Sequence, residues 1–167
     1  SFLILVLSYF LIPVFYDQNL IKVRLKDQIL EKFNLEVKFK NSVKYSLFPK
    51  PHFYSEDTVL YQNKDSIAKI DFTRMYIEIN NFFLKDNLKI KDLIFKKSEF
   101  NVNSKNFNFF EKILNYNKNE FKINFSDSNL FYKDKHEDVI FLSKIDNLNF
   151  LYTDELEQQL IAKLNIF

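Results

Sequence analysis

The sequence predicts an α+β protein in which antiparallel β-strands predominate, with two helical segments at the N-terminus. The chain has 167 residues with no glycine, and aromatic side chains make up 18% of it. Aromatic and β-branched residues fit the pleated, half-buried surface of a sheet. Long stretches also alternate between apolar and polar residues, the period of a strand with one buried face. A helical period is confined to 18–33 and to a short segment near 106–115.

Composition excludes several functional classes. The net charge is +2 with positive and negative residues interspersed, so no basic block of the kind that binds nucleic acid is present. The absence of cysteine rules out disulfides and zinc–thiolate sites. Residue 1 lies inside an apolar run and the last residues stop in mid-alternation, so we expect this chain to be a piece of a longer protein.

Residues 1–16, SFLILVLSYFLIPVFY, carry no charge and are interrupted only by Ser8 and Pro13. A membrane-spanning helix needs about 20 apolar residues, so we predict a membrane anchor that lacks its beginning. A cleaved signal peptide and a buried core helix are the alternatives. No small-residue cleavage site follows the run, and it has no polar face such as a core helix usually shows.

Residues 17–34 are predicted to form an amphipathic capping helix. Asp17 is a suitable N-cap, and the apolar residues recur every four positions. This helix either packs on a sheet, lies at the membrane surface or caps an open sheet edge. The predicted apolar stripe consists of Ile21, Leu25, Ile29, Leu30 and Phe33.

From residue 35 to residue 167 the chain is predicted to be a β-sheet domain that continues beyond the fragment. The stretch 35–47 alternates without a slip and ends before Pro49 and Pro51, since prolines stop a strand. A change of phase within 67–79 indicates a bulge or bend. Short turns between successive strands favour an antiparallel meander. Further strands are predicted at 58–61, 67–79, 88–103, 120–132, 139–152 and 160–166.

The apolar face of these strands needs a cover, and two arrangements provide one. A second sheet can pack on it, as in a sandwich, or the sheet can curl so that its inner face meets apolar material. We predict that the inner face includes Leu35, Val37, Phe39, Val43, Tyr45, Leu47, Ile77 and Ile79.

No catalytic or metal-binding constellation is evident. His52 and His136 are far apart in sequence, and Asp134, His136, Glu137 and Asp138 are typical of a charged turn rather than of a metal site. Phosphate-binding and dinucleotide motifs need glycine. We therefore predict that the chain is not an enzyme and that it holds no cofactor or metal.

The order of these features resembles the N-terminal region of the AsmA-like family. The matching pieces are IPVFYDQNLIKVRLKDQILEKF, the strand LEVKFKNSVKYS and the segment LFPKPHFY, in which Phe48 and Pro49 lie on the family's Phe-Pro motif. Residues 66–103 and 121–150 are similar to the strand blocks that follow in that family.

This resemblance implies a bacterial inner-membrane protein with a single anchor and its bulk in the periplasm. AsmA-like proteins are similar to chorein-type bridge proteins, whose curled, open β-trough carries phospholipid. The implied function is phospholipid conduction during outer-membrane biogenesis, with the eight inner-face residues touching acyl chains. The implied partners are phospholipid acyl chains, the inner membrane through residues 1–16, and envelope proteins. The alternative is a membrane-tethered β-sandwich interaction domain that assists envelope protein assembly.

Overall fold

Eight strands form one sheet that is not closed, preceded by two helices. These elements come from a computed structural model, which describes residues 2–33, 35–62, 64–81, 88–108, 122–136, 138–151 and 159–166. The prediction of a mixed α+β protein with a mainly antiparallel sheet is confirmed. The described strands belong to a single sheet, so they do not form the two sheets of a sandwich.

The N-terminal helices meet at a sharp bend. Helix α1 (Phe2–Leu11) continues into a 3₁₀ turn (Ile12–Phe15), and helix α2 (Gln18–Phe33) follows. Proline at the start of the 3₁₀ turn is compatible with that position because proline lacks the N–H group that a first turn leaves unpaired.

Helix α2 begins as predicted and buries three residues of the predicted stripe, and the side chain of Phe33 lies outside what the structure describes. The Leu20 N–H donates a 2.8 Å hydrogen bond to the Asp17 carboxylate, which confirms Asp17 as the N-cap. Ile21, Leu25 and Ile29 are buried, as their four-residue spacing predicts. The inclusion of Leu30 in the buried stripe was wrong, because its side chain is 48% exposed. Leu30 lies about 100° around the helix from Ile29 and therefore faces away from the sheet.

The sheet follows the chain in order, except that β1 and β2 share one neighbour. Its order is β1-β3-β4-β5-β6-β7-β8, and β2 pairs with β3 beyond the end of β1. The strands are β1 (Glu36–Phe39), β2 (Lys44–Ser46), β3 (His52–Gln62), β4 (Asp65–Ile77), β5 (Ile90–Val102), β6 (Lys122–Lys133), β7 (Val139–Leu151) and β8 (Gln159–Ile166).

One pair of strands departs from the predicted antiparallel meander. Strands β5 and β6 are parallel, whereas the other pairings are antiparallel. A parallel pair needs a connection of a dozen or more residues, and the stretch from residue 103 to residue 121 supplies it. Alternation along a strand reports its two faces but not its direction, so the sequence pattern did not reveal the reversal. The predicted helix near 106–115 lies largely outside the described residues.

Two strand boundaries also differ from the prediction. The alternating stretch 35–47 is split into β1 and β2, and the predicted short strand 58–61 is the last part of the longer β3. His52, which directly follows Pro51, is the first residue of β3 and is buried. Between β1 and β2 the Lys40 N–H still donates a 3.0 Å hydrogen bond to the Asp57 carbonyl, so both short strands lie along the same edge of β3.

In each of the strands β3 to β7, a residue is skipped in the register of bridge partners. These residues follow one another across the sheet, and we call the row that they form the kink line. It consists of Asp57, Asp71, Lys97, Asp127 and Asp146. Three of these have a positive φ: Asp57 (53°), Lys97 (54°) and Asp127 (51°). Aspartate tolerates this left-handed conformation better than most residues.

The kink line keeps one face of the sheet buried by changing the phase of strands β3, β4, β5 and β6. In β3 the buried positions pass from Phe53 and Ser55 to Thr58 and Leu60, so odd numbers give way to even ones. The phase change predicted within 67–79 is the same event in β4, where Ile70 precedes the line and Thr73 follows it. Because neighbouring strands change phase at the same level, the same face of the sheet stays buried on both sides of the kink line.

Candidate functional site

Most of the inner-face residues predicted from sequence lie together in the core. Leu35, Val37, Phe39 and Val43 are each at most 3% exposed. They belong to one cluster that also contains the buried face of α2. Helix α2 therefore covers the first strands of the sheet. Whether these side chains also touch lipid stays a prediction.

The other four predicted residues lie at one end of the sheet. Ile77 is buried at the end of β4, while Ile79 is 48% exposed just beyond it. Tyr45 and Leu47 are partly buried. The Ile77 N–H approaches the Pro51 carbonyl at 3.5 Å, so the end of β4 lies beside the start of β3.

The N-terminal segment is tied to this same end by two tyrosines. The Tyr45 hydroxyl donates a 2.7 Å hydrogen bond to the Phe10 carbonyl. The Tyr9 hydroxyl donates to the Ile79 carbonyl. Burial raises the pKa of Tyr45 to about 12, so this phenol stays protonated and able to donate at neutral pH.

The segment contacts the protein with one side and exposes apolar groups on the other. The inward side includes Tyr9, Phe10, Pro13 and Tyr16, which are buried or partly buried. We use the name apolar end surface for the exposed apolar side chains of this segment together with those of two neighbouring loops. Its members are Ile4, Leu5, Leu7, Leu11, Val14, Phe15, Phe48 and Ile79.

Phe48, which precedes Pro49, is one of the most exposed members of this surface. Its side chain is 79% exposed in the turn between β2 and β3. An exposed phenylalanine leaves a large apolar area in contact with solvent. A strand-end loop that exposes such a side chain is typical of a binding surface.

A small cavity lies where the N-terminal segment, α2 and β2 meet. Its volume is about 210 Å³, and its walls include Val14, Ile21, Val43, Tyr45 and Phe53. Lys44 also lines it, but Lys44 alternates with Val43 and Tyr45 along β2 and pairs with Tyr54, so its side chain points to the other face of the sheet.

His52 is a buried titratable side chain near this end. Its Nδ1–H donates a 2.7 Å hydrogen bond to the Lys50 carbonyl, and its ring lies beside Tyr76 with 5.2 Å between centroids. Burial lowers the pKa of His52; the Lys50 carbonyl opposes this effect, and the charge of Arg74 adds to it. The side chain is therefore a neutral part of the core.

Buried hydroxyl groups border the kink line on its inner side. The oxygens of Thr58, Thr73 and Ser98 have no hydrogen-bond partner among the described residues. Ser128 differs, because its hydroxyl accepts a 3.3 Å bond from the Ser98 N–H and donates to the Ser126 carbonyl. Sequence reasoning did not identify this polar band, although its residues interrupt otherwise apolar faces.

The predicted charged turn is found between β6 and β7. The Asp134 carboxylate accepts hydrogen bonds from the N–H groups of His136 and Asp138, at 2.8 and 3.0 Å. Glu137 lies outside the described residues. Within the described part of the chain, no three His, Cys, Asp or Glu side chains are grouped closely enough to hold a metal ion.

Comparison with known proteins does not extend these observations. No family model matches the chain, and no curated protein matches it. In the described part of the chain, no single helix has both the length and the apolar character to cross a bilayer. Ile4–Phe15 and Gln18–Lys32 meet the criteria together, but they are bent by 89° with respect to each other.

Proposed function

We propose that this chain is the membrane-proximal end of an inner-membrane-anchored, periplasmic protein that conducts phospholipid along an apolar β-trough during outer-membrane biogenesis. The observation that carries the proposal is the junction at one end of an open sheet. There an uncharged, exposed apolar segment is hydrogen-bonded to the strands whose inner faces form the core. The AsmA-like resemblance of the sequence supports the same function.

The physical basis of conduction is the removal of acyl chains from water. Exposing one CH₂ group to water costs about 0.8 kcal/mol, so a long chain crosses an aqueous compartment only if it is covered. The sheet offers one mainly apolar face that remains buried from β1 to β6, interrupted only by the buried hydroxyl groups beside the kink line. No bond is made or broken in such transport, so no catalytic group is required.

Lipid would begin its path at the cavity beside the first turn of α2. Val43 and Tyr45 contact that cavity, while Leu35, Val37 and Phe39 lie deeper, beneath α2. The apolar walls of the cavity would cover the first methylenes of the acyl chains. The deeper residues would be reached only as α2 moved aside.

Photo-crosslinking in bacterial membranes tests the proposal. A p-benzoylphenylalanine residue at position 45 faces the cavity, and the same residue at position 54 is the matched control. Tyr54 is also a partly buried tyrosine, but it lies between the buried residues Phe53 and Ser55 and so points to the opposite face of the sheet. Phospholipid adducts detected by mass spectrometry at position 45 but not at position 54 are the expected result.

A second function is favoured by the tight packing of the described core. Leu25, Leu35 and Phe95 are fully buried, as in a membrane-tethered interaction domain with a dry core that assists the assembly of envelope proteins. In that case position 45 would give protein adducts or none, and never phospholipid. Such a result, obtained with folded protein, overturns the conduction proposal.

A further inference from the structure

The apolar end surface is assembled from three separate parts of the chain. The N-terminal segment supplies most of it, the β2–β3 turn supplies Phe48, and the residues after β4 supply Ile79. The hydrogen bonds from Tyr45 to Phe10 and from Tyr9 to Ile79 hold the N-terminal segment against both of the other parts. The surface is therefore a property of the fold and not of the N-terminal sequence alone.

The composition of this surface matches hydrocarbon rather than a protein partner. Its members are leucine, isoleucine, valine and phenylalanine, the residues that insert most favourably into a bilayer. Protein interfaces are enriched in Tyr, Trp, Phe, Met and Arg, and of these only phenylalanine, as Phe15 and Phe48, is a member. The tyrosines of the segment, Tyr9 and Tyr16, are on its inward side.

The charge next to the Phe48 turn is complementary to anionic lipid. Lys44 and Lys50 flank this turn and are exposed, and residues 37–55 contain no aspartate or glutamate. Lys38 and Lys40 lie farther along β3, beside Val59 and Asp57. Basic residues near a membrane surface are attracted by anionic head groups, at about 1 kcal/mol each.

We propose that the apolar end surface docks the sheet onto an anionic lipid bilayer, with Phe48 and Ile79 entering the membrane interface beside the N-terminal segment. The strands then stand with the β2–β3 turn towards the bilayer and the β5 end that leads to Phe107 away from it. This inference rests on the membrane attachment in the proposed function and is independent of lipid conduction.

The absence of cysteine permits a direct depth measurement on the full chain. Single cysteines replace Leu11, Phe48, Ile79 or Phe107 and are labelled with nitrobenzoxadiazole. Phe107 is the matched control because it is an exposed phenylalanine (55%) beyond the far end of β5. That strand has 13 residues and therefore measures about 40 Å. The labelled proteins are reconstituted into phosphatidylcholine–phosphatidylglycerol vesicles that carry doxyl-labelled lipids as quenchers.

Strong quenching of labels at 11, 48 and 79, with none at 107, is the expected outcome. Quenching at 11 alone overturns the docking of the sheet end and leaves the membrane attachment intact. Quenching at none of the four positions overturns both.

A second comparison avoids labels. Phe48→Asp should weaken sedimentation with anionic vesicles about tenfold, since burial of a phenylalanine accounts for at least that factor. Phe107→Asp should leave it unchanged. Both changes are at exposed positions, and circular dichroism checks that each variant folds. Equal binding by the two variants also overturns the proposal.

Discussion

Replacing Thr58 by valine should stabilise the protein. Thr58 is 1% exposed on β3, immediately after the kink line. Its hydroxyl oxygen has no hydrogen-bond partner among the residues that the structure describes. Valine has almost the same shape as threonine and carries a methyl group in place of the hydroxyl. The substitution therefore removes an unpaired polar group without opening a cavity.

The size of the effect follows from the burial of the hydroxyl. A buried polar group without a partner costs about 1–3 kcal/mol relative to the unfolded chain, where water bonds it. The gain in the free energy of unfolding should lie at the lower end of that range because the surrounding side chains were packed for an oxygen. For a chain of this size, 1 kcal/mol corresponds to a rise of about 2–4 °C in Tm.

Thermal unfolding followed by circular dichroism in mild detergent measures the change. Thr58→Ser is the matched control, since it keeps the hydroxyl and removes the methyl group, and it should lower the stability by about 1 kcal/mol. Thr73→Val should reproduce the gain, because the Thr73 hydroxyl is also buried without a described partner. A loss of stability in both valine variants would refute the reasoning, since it would mean that the hydroxyls are bonded in the folded protein.

Three further changes test the core and the junction. Leu25→Ala should lower the stability by about 2–5 kcal/mol because the side chain is fully buried; denaturant unfolding measures this. Lowering the pH below 6.5 should destabilise the protein. Burial lowers the pKa of His52 in the fold from 6.5, so at acid pH the unfolded chain binds more protons than the folded chain. His52→Gln should reduce this pH dependence. Tyr45→Phe should abolish the tyrosine ionisation at about pH 12 and speed hydrogen exchange in α1, because the bond to Phe10 is lost.

Each of these changes has a control or a contrary outcome. Val23→Ala, at a 56% exposed position of the same helix, should cost less than about 0.5 kcal/mol; equal losses at positions 23 and 25 would contradict the packing of α2. An unaltered acid dependence in His52→Gln would show that other groups cause it. Unchanged exchange in α1 after Tyr45→Phe would mean that the junction does not depend on this hydroxyl.

Much of the fold could be predicted because local sequence patterns indicate which face of each helix or strand is buried. The four-residue spacing of Ile21, Leu25 and Ile29 predicted the buried stripe of α2, and Asp17 predicted where the helix begins. The phase change in 67–79 predicted a distortion of β4. Each of these features depends on neighbouring residues only, so the sequence contains it directly.

The candidate site was predicted only in part. The inner-face residues were identified by their alternation, and most of them lie in one core. The alternation did not show that α2 would cover Leu35 to Val43, or that Ile79 would be exposed. It also gave no reason to group Phe48 with Ile79, because they are distant in sequence and reach the same end of the sheet only through the pairing of β2, β3 and β4.

The sequence by itself determined the two-faced strands, the capped amphipathic helix and the uncharged N-terminal segment, since each results from the order of apolar and polar residues. Only the tertiary structure decided the parallel pairing of β5 with β6, the alignment of the kink line across the sheet and the apolar end surface. The reason is physical. Strand direction, register and the meeting of distant loops depend on how separate segments pack against each other, and no local periodicity contains that information.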